Sequence, residues 1–184
     1  MTTIKLVIGS TRPVRVGGQL VDVVVPAIAE ATGATVEVVD LRDLELPFLA
    51  EPQMAATGVY TLEATQNWSE IVKNADGIVW LNPEYNGGMP GAVKNAIDHL
   101  FAEWENKPTF IVGYGYGGGE RSARHLAEIL GNVKANVVTD AVKIVFGDNG
   151  PTETGLVAEP ANLLNGNEVE LQQAARALAK AIAA

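Results

Sequence analysis

The 184-residue chain contains no cysteine, which removes disulfide frameworks, thiolate metal centres and redox dithiols from consideration. That absence suits a cytoplasmic protein. Basic residues are scarce: 13 Lys and Arg stand against 22 Asp and Glu, for a net charge of −9. Neither a nucleic-acid partner nor attachment to an anionic membrane surface is therefore expected. No apolar run is long enough to span a bilayer. Met1-Thr2-Thr3 passes straight into an apolar segment, without the features of a signal peptide. The two histidines, His99 and His125, make no metal pair and no Ser-His-Asp arrangement, and each reads as a surface or interface residue. No metal site and no protein nucleophile is expected.

What remains is a composition 47% hydrophobic and 19% charged, that of a globular chain with a proper core, read as one domain over residues 1–184. The organising stretch runs from Ile4 to Gln19. Ile4, Leu6, Val7 and Ile8 form a short, nearly continuous apolar run, the pattern of a strand buried on both faces. Gly9-Ser10-Thr11 closes it, and Arg12, Arg15, Gly17 and Gly18 follow before a helix opens. This first loop is neither GxGxxG nor GxxxxGK(S/T), so it is not a Rossmann fingerprint or a Walker loop. A strand, a flexible loop and a helix N-terminus nevertheless make an anion site, because free backbone N–H groups and the positive end of the helix dipole converge there. Two guanidinium forks match phosphate oxygens. A phosphate-bearing ligand is the expectation; a plain turn with both arginines in solvent is the alternative.

Further along, helical spacing of Leu20, Val21, Val24, Ile28 and Ala31 predicts a helix over 18–32 with Gly33 as its stop. Thr35–Val39 reads as a second strand, and 41–60, with Pro47 and Pro52, as an irregular surface segment. A helix over 62–74, a strand over 77–81 and a helix starting at Pro90 and reaching Ala102 come next. A fourth strand over 109–112, a helix over 120–130, a fifth strand over 141–146 and a last helix over 168–183 complete the chain. Five alternations of strand and helix predict an α/β fold, a doubly wound five-stranded parallel sheet with helices on both faces, of the flavodoxin-like order 2-1-3-4-5. Ligands of such sheets sit beyond the carboxyl ends of the strands, between strands one and three.

Three unusual loops meet at that point: Gly9 to Gly17, Asn82 to Gly88 and Gly113 to Gly119. Each alone could be an ordinary turn; together they place glycines, bare amides and Tyr85, Tyr114 and Tyr116 around one spot. A planar heterocycle on a phosphorylated tail would suit it, and FMN has that shape.

Two motifs, Gly9-Ser10-Thr11-Arg12-Pro13-Val14-Arg15-Val16-Gly17 and Pro83-Glu84-Tyr85-Asn86-Gly87, carry a resemblance to the NAD(P)H-dependent FMN reductases of the flavodoxin-like class, the group with quinone, azo-dye and chromate reductases. The resemblance follows the element order of the whole chain. It implies that Ser10, Thr11, Arg12, Arg15, Val16 and Gly17 cradle the FMN phosphate. It also implies that Pro83, Glu84, Tyr85, Asn86 and Gly87 line the ring and ribityl chain. Many relatives have Ser-x-Gly in the third loop where this chain has Gly113-Tyr114-Gly115, so Gly115, Tyr116 and Gly117 are expected to contribute backbone N–H groups. Hydride would pass from NAD(P)H to FMN and on to a quinone, azo compound, metal oxyanion or free flavin, with no catalytic side chain in the strict sense. The resemblance further implies a homodimer or homotetramer, with an interface around 91–101, Asp98, His99, Phe101 and Trp104. A flavodoxin-type electron carrier and a flavin-free phosphate-ester domain are the alternatives.

Overall fold

Strand β1 (Thr3–Ile8) lies inside the sheet, with Ile4, Leu6 and Ile8 turned to one face and Val7 to the other, none more than 4% exposed. Successive side chains of a strand point to opposite faces, so a run that is apolar at both parities needs cover on both sides. In this computed structural model, which describes Met1 to Ala184, β1 pairs in parallel with β2 (Thr35–Asp40) and with β3 (Gly77–Pro83). Strand β4 (Pro108–Gly115) pairs with the far side of β3. The fifth position is filled by β5 (Asn136–Val137) and β6 (Val142–Val145), both parallel to β4. The order is 2-1-3-4-5, as the alternation predicts.

Helices α1 (Val16–Thr32) and α6 (Glu168–Ile182) cover one face. Leu20, Val24 and Ile28 of the first and Leu171, Ala175 and Leu178 of the second join Ile4, Leu6, Val79, Phe110 and Ile144 in one core. Helices α3 (Glu63–Lys73), α4 (Gly91–Asp98) and α5 (Glu120–Asn132) cover the other, through Trp68, Val72, Val93, Ile97, Leu126 and Leu130 against Val7, Ile78, Trp80 and Ile111. Trp104 sits between Trp68 and Trp80, 5.9 Å from each by ring centroid. Full burial of such large side chains contributes about 1.5–3 kcal/mol each. Helix α1 stops where Gly33 takes φ 67° and returns its N–H to the Ala29 carbonyl at 2.8 Å, a turn glycine adopts without strain. No helix is long and apolar enough to cross a membrane.

The structure departs from the sequence pattern in four places. The fifth strand is split, since the chain leaves the sheet between Val137 and Val142 after the Val138 N–H has bonded the Thr109 carbonyl at 2.9 Å. The segment 41–60 holds a short helix, α2 (Leu41–Leu44), because the Asp40 carboxylate accepts from the Arg42 N–H at 3.0 Å and caps it. Pro90 caps α4 rather than opening it, and the helix ends at Asp98 instead of Ala102. Finally, His99 and Trp104 are no interface residues. The chain turns inward after Asp98, so that both are buried within the subunit, at 0% and 1% exposure. Trp104 Nε1 donates to the Ile97 carbonyl at 3.0 Å; His99 lies between the Thr65 hydroxyl (2.8 Å) and the Pro47 carbonyl (3.0 Å). Asp98 and Phe101 remain half-buried.

Candidate active site

The loop from Gly9 to Arg15 joins β1 to α1. From Ser10 to Gly18 no backbone N–H donates to any protein acceptor. Arg15, the N-cap of α1, has extended backbone and offers no side-chain cap, and the first turn of the helix carries no acidic residue. A 17-residue helix therefore presents the bare positive end of its dipole at the carboxyl edge of the sheet. The two arginines differ sharply. The Arg15 guanidinium grips the Asp40 carboxylate with both terminal nitrogens, Nη1 to Oδ1 at 2.9 Å, and also donates to the Ser10 carbonyl. Its side chain is only 8% exposed. Arg12 is exposed and forms no ion pair or side-chain hydrogen bond, which leaves a whole guanidinium fork uncommitted.

The second loop follows β3. Tyr85 and Gly88 exchange backbone hydrogen bonds of 2.9 and 3.0 Å, with Asn86 at φ 51° and Gly87 at φ 79° between them. Positive φ at both central residues is the mark of a type I′ turn, which Asn-Gly favours. The turn is tied to its neighbours. Tyr85 Oη meets Ser10 Oγ at 2.6 Å, bridging the first two loops. The Glu84 carboxylate accepts from the N–H groups of Arg121 (3.0 Å) and Ser122 (3.5 Å) in the first turn of α5, a cap supplied from another element. Asn82 Nδ2 donates to Ser122 Oγ, which donates onward to the Pro83 carbonyl, each at 2.7 Å.

The third loop leaves β4 at Gly115, and the N–H groups of Tyr116 and Gly117 are without protein acceptors. Tyr114 points into the α1 side of the fold and is 4% exposed. Burial pushes its phenol well above the usual tyrosine range, with the neighbouring Tyr85 adding to the effect. Tyr116 is exposed and stands edge-on to Phe146, 5.3 Å between centroids. A fourth wall comes from the chain after β6. Gln19 on α1 fixes it by donating to the Val157 carbonyl and accepting from the Val157 N–H, both at 2.9 Å.

These walls enclose a cleft of about 540 Å³ at the switch point of the sheet. Of the residues singled out from sequence, Ser10, Arg12, Arg15, Val16, Pro83, Glu84, Tyr85, Gly115, Tyr116 and Gly117 line it. Thr11 faces a separate groove beside Phe48 and Asn95. Gly17, Asn86 and Gly87 lie behind the lining. Gly17 has a packing reason to be glycine, because a Cβ there would lie 2.4 Å from Tyr114 Oη. The motifs did not mark Phe146, Pro151, Thr152 and Gly155 as lining residues, nor Asp40 as the partner of Arg15. The turn-rich run Gly147-Asp148-Asn149-Gly150-Pro151 after the fifth strand was the available signal for the fourth wall.

The donors suit a mononucleotide. A row of free amides with an unpaired guanidinium fits a phosphate, and buried Tyr114 Oη, which makes no hydrogen bond within the protein, fits a ligand acceptor. Amides flanked by Tyr85 and Tyr116 fit a flat polar ring. A cleft of this kind on a 2-1-3-4-5 sheet belongs to the flavodoxin-like class of α/β proteins. Solved structures agree on the fold: the flavoenzyme FerB, an NAD(P)H:(acceptor) oxidoreductase from Paracoccus denitrificans, superposes with a TM-score of 0.72 at 20% identity, over 100% of this chain and 98% of that one. The family model for NADPH-dependent FMN reductases matches residues 2–148. An NAD(P)H-dependent FMN reductase of Schizosaccharomyces pombe is 39% identical over 136 residues, 73% of this chain and 68% of the relative. One from Saccharomyces cerevisiae is 41% identical over 119 residues, 61% and 62% of the two chains. A quinone reductase of Escherichia coli is 35% identical over 111 residues, 57% of each. The chain belongs to the NADPH-dependent FMN reductase family, oxidoreductases that use FMN and NAD(P)H.

Proposed function

We propose that the protein binds FMN in the strand-end cleft and uses it to carry reducing equivalents from NAD(P)H to a small-molecule acceptor, with a quinone or azo compound as the first classes to test. The observation that carries this reading is the set of acceptor-free amides between Ser10 and Gly18, interrupted only at Pro13, next to the uncommitted Arg12. FMN, when bound, supplies a planar ring that takes a hydride from a nicotinamide and releases electrons to an acceptor. The protein's part is binding and orientation. The first-loop amides, Val16 at the head of α1 and the Arg12 fork hold the phosphate. The backbone of Pro83, Glu84 and Tyr85 and the N–H groups of Tyr116 and Gly117 hold the ring and place hydrogen-bond donors along its polar edge. Phe146 and the Pro151–Gly155 wall keep water from that side. Thr11, Gly17, Asn86 and Gly87 act through backbone shape.

Residues 1–184 serve as one FMN-binding unit, and its home is the cytoplasm, in keeping with the absence of cysteine. It works as a homodimer or homotetramer. Phe48, 87% exposed, and Leu49 lie beside α4, and the same segment also exposes Met54 (77%) and Val59, apolar surface that a second copy would cover. Sedimentation of the wild type and of Phe48→Ser/Met54→Ser tests this, and a monomeric wild type refutes it.

The decisive test of the activity is the visible spectrum of the protein mixed with FMN, desalted, and given NADPH or NADH without oxygen. Retained flavin bands that bleach, and that return when a quinone is added, bear out the reading. Retained bands that neither nucleotide bleaches indicate a carrier reduced by a partner protein. A colourless protein after desalting refutes the flavin site.

A further inference from the structure

We propose that the buried Tyr114 hydroxyl is a phosphate-recognition group, donating to an oxygen of the FMN phosphate at the head of α1 and so making the site select FMN over riboflavin. The inference rests on the FMN reading above and adds to it a residue outside the two sequence motifs.

Tyr114 is 4% exposed, and its Oη is shielded from solvent without a hydrogen-bond partner. A buried hydroxyl in that condition is costly, and native proteins leave few of them unless a ligand or water completes the bond. Its location narrows the choice. Oη abuts Gly17, the second residue of α1, so closely that a Cβ there would be only 2.4 Å away. It therefore sits under the helix end whose N–H groups lack acceptors. Its polar surroundings are Ser10, Tyr85, Arg15 and Arg12. Ser10 Oγ is paired with Tyr85 Oη at 2.6 Å, close enough to favour the ionised form of Tyr114 slightly without satisfying its hydroxyl. Arg15 is consumed by Asp40 and the Ser10 carbonyl. The acceptors at hand are the hydroxyl oxygens of Ser10 and Tyr85, which are engaged with each other, and an oxyanion supplies several free ones. Because burial raises its pKa, the phenol keeps its proton near neutral pH and can give it to such an oxygen.

The geometry also explains the paired choice of residues. Glycine at position 17 leaves room for the Tyr114 hydroxyl to reach the helix end.

The test compares FMN with riboflavin, which lacks the phosphate. Dissociation constants are measured by flavin fluorescence for the flavin-freed wild type and for Tyr114→Phe, which keeps the packed ring. The wild type binds FMN more tightly than riboflavin. In Tyr114→Phe the FMN constant rises roughly 10-fold or more, the loss of one hydrogen bond to a charged group, while the riboflavin constant is unchanged. Unchanged FMN affinity, or equal losses for both flavins, overturns the assignment. Should Tyr114→Phe fail to fold, NMR of the FMN-loaded wild type decides: a slowly exchanging tyrosine hydroxyl proton correlated with the FMN phosphorus supports the bond, and its absence overturns it. A wild type that retains neither flavin refutes the FMN reading itself, a failure distinct from that of Tyr114.

Discussion

Arg15 and Arg12 look alike in the sequence, three residues apart in one loop, yet the structure sets one against a carboxylate and leaves the other unpaired, and the difference is measurable. The Arg15 guanidinium is 8% exposed and held by both oxygens of Asp40, itself 13% exposed. Asp40→Ala strands a nearly buried cation, at a cost of about 3 kcal/mol, the lower end for a broken buried pair because some solvent reaches it. For a chain of this size each kcal/mol lowers the melting temperature by about 2–4 °C, so the flavin-free variant should melt about 6–12 °C below wild type. Arg15→Ala is milder, about 1–2 kcal/mol, since Asp40 keeps the Arg42 N–H at 3.0 Å and the Arg42 guanidinium at 3.7 Å. Arg12→Ala leaves the melting temperature of the flavin-free protein unmoved. In FMN titrations the ranking inverts: Arg12→Ala weakens binding by about 1.5–3 kcal/mol, or about 10- to 150-fold, the value of a charge-assisted bond to phosphate. Differential scanning fluorimetry and flavin fluorescence supply the two readouts. If Arg15→Ala left stability intact and abolished FMN binding, while Arg12→Ala did neither, the division of labour would be wrong.

Three other outcomes are expected. Glu84→Ala removes the borrowed cap of α5 and lowers the urea midpoint by the equivalent of about 1 kcal/mol, with a smaller effect for Glu84→Gln, which still accepts hydrogen bonds. Gly17→Ala drives a methyl into Tyr114 Oη and costs about 1–3 kcal/mol. Adding Tyr114→Phe to the same chain restores part of that, because the next ring atom lies 3.2 Å from the Cβ position. Partial burial pushes the Glu51 carboxyl up, but the N–H groups of Thr61 and Leu62 and the hydroxyls of Thr61 and Thr65 outweigh it and bring it to about 2. A depressed carboxylate stabilises the fold above its unfolded pKa and loses that contribution as pH falls, here from 4.5 toward about 2. Glu51→Gln should therefore flatten the decline in stability across that window and leave its remaining slope to other carboxylates.

The sheet order was legible because its evidence is repetitive. Each strand is a short apolar run, each helix carries a stripe, and β1 shows both parities buried. The loops were legible by position, since strand ends on one side of such a sheet must converge. Partnership was harder to read. Nothing local to Arg15 shows that Asp40, 25 residues on and one strand over, claims its charge. The motif around Glu84 suggests a ligand contact, whereas its carboxylate caps a helix that begins 36 residues later at Glu120. The resemblance put His99 and Trp104 at an interface, but the chain turns inward after Asp98 and buries both within the subunit. Tertiary contacts at long sequence separation decided each of these cases.

The clasp between Gln19 and Val157 has a mechanical consequence. A side-chain amide that both gives to and takes from the backbone of one residue pairs with it as a neighbouring strand would. The chain that leads out of the wall at 151–155 is thereby tied to α1 at Val157. The clasp is mounted on α1, the helix whose first-turn N–H groups face the cleft without acceptors. The head of α1 and the side wall of the cleft are therefore positioned by one element, so a substitution that shifts α1 shifts both.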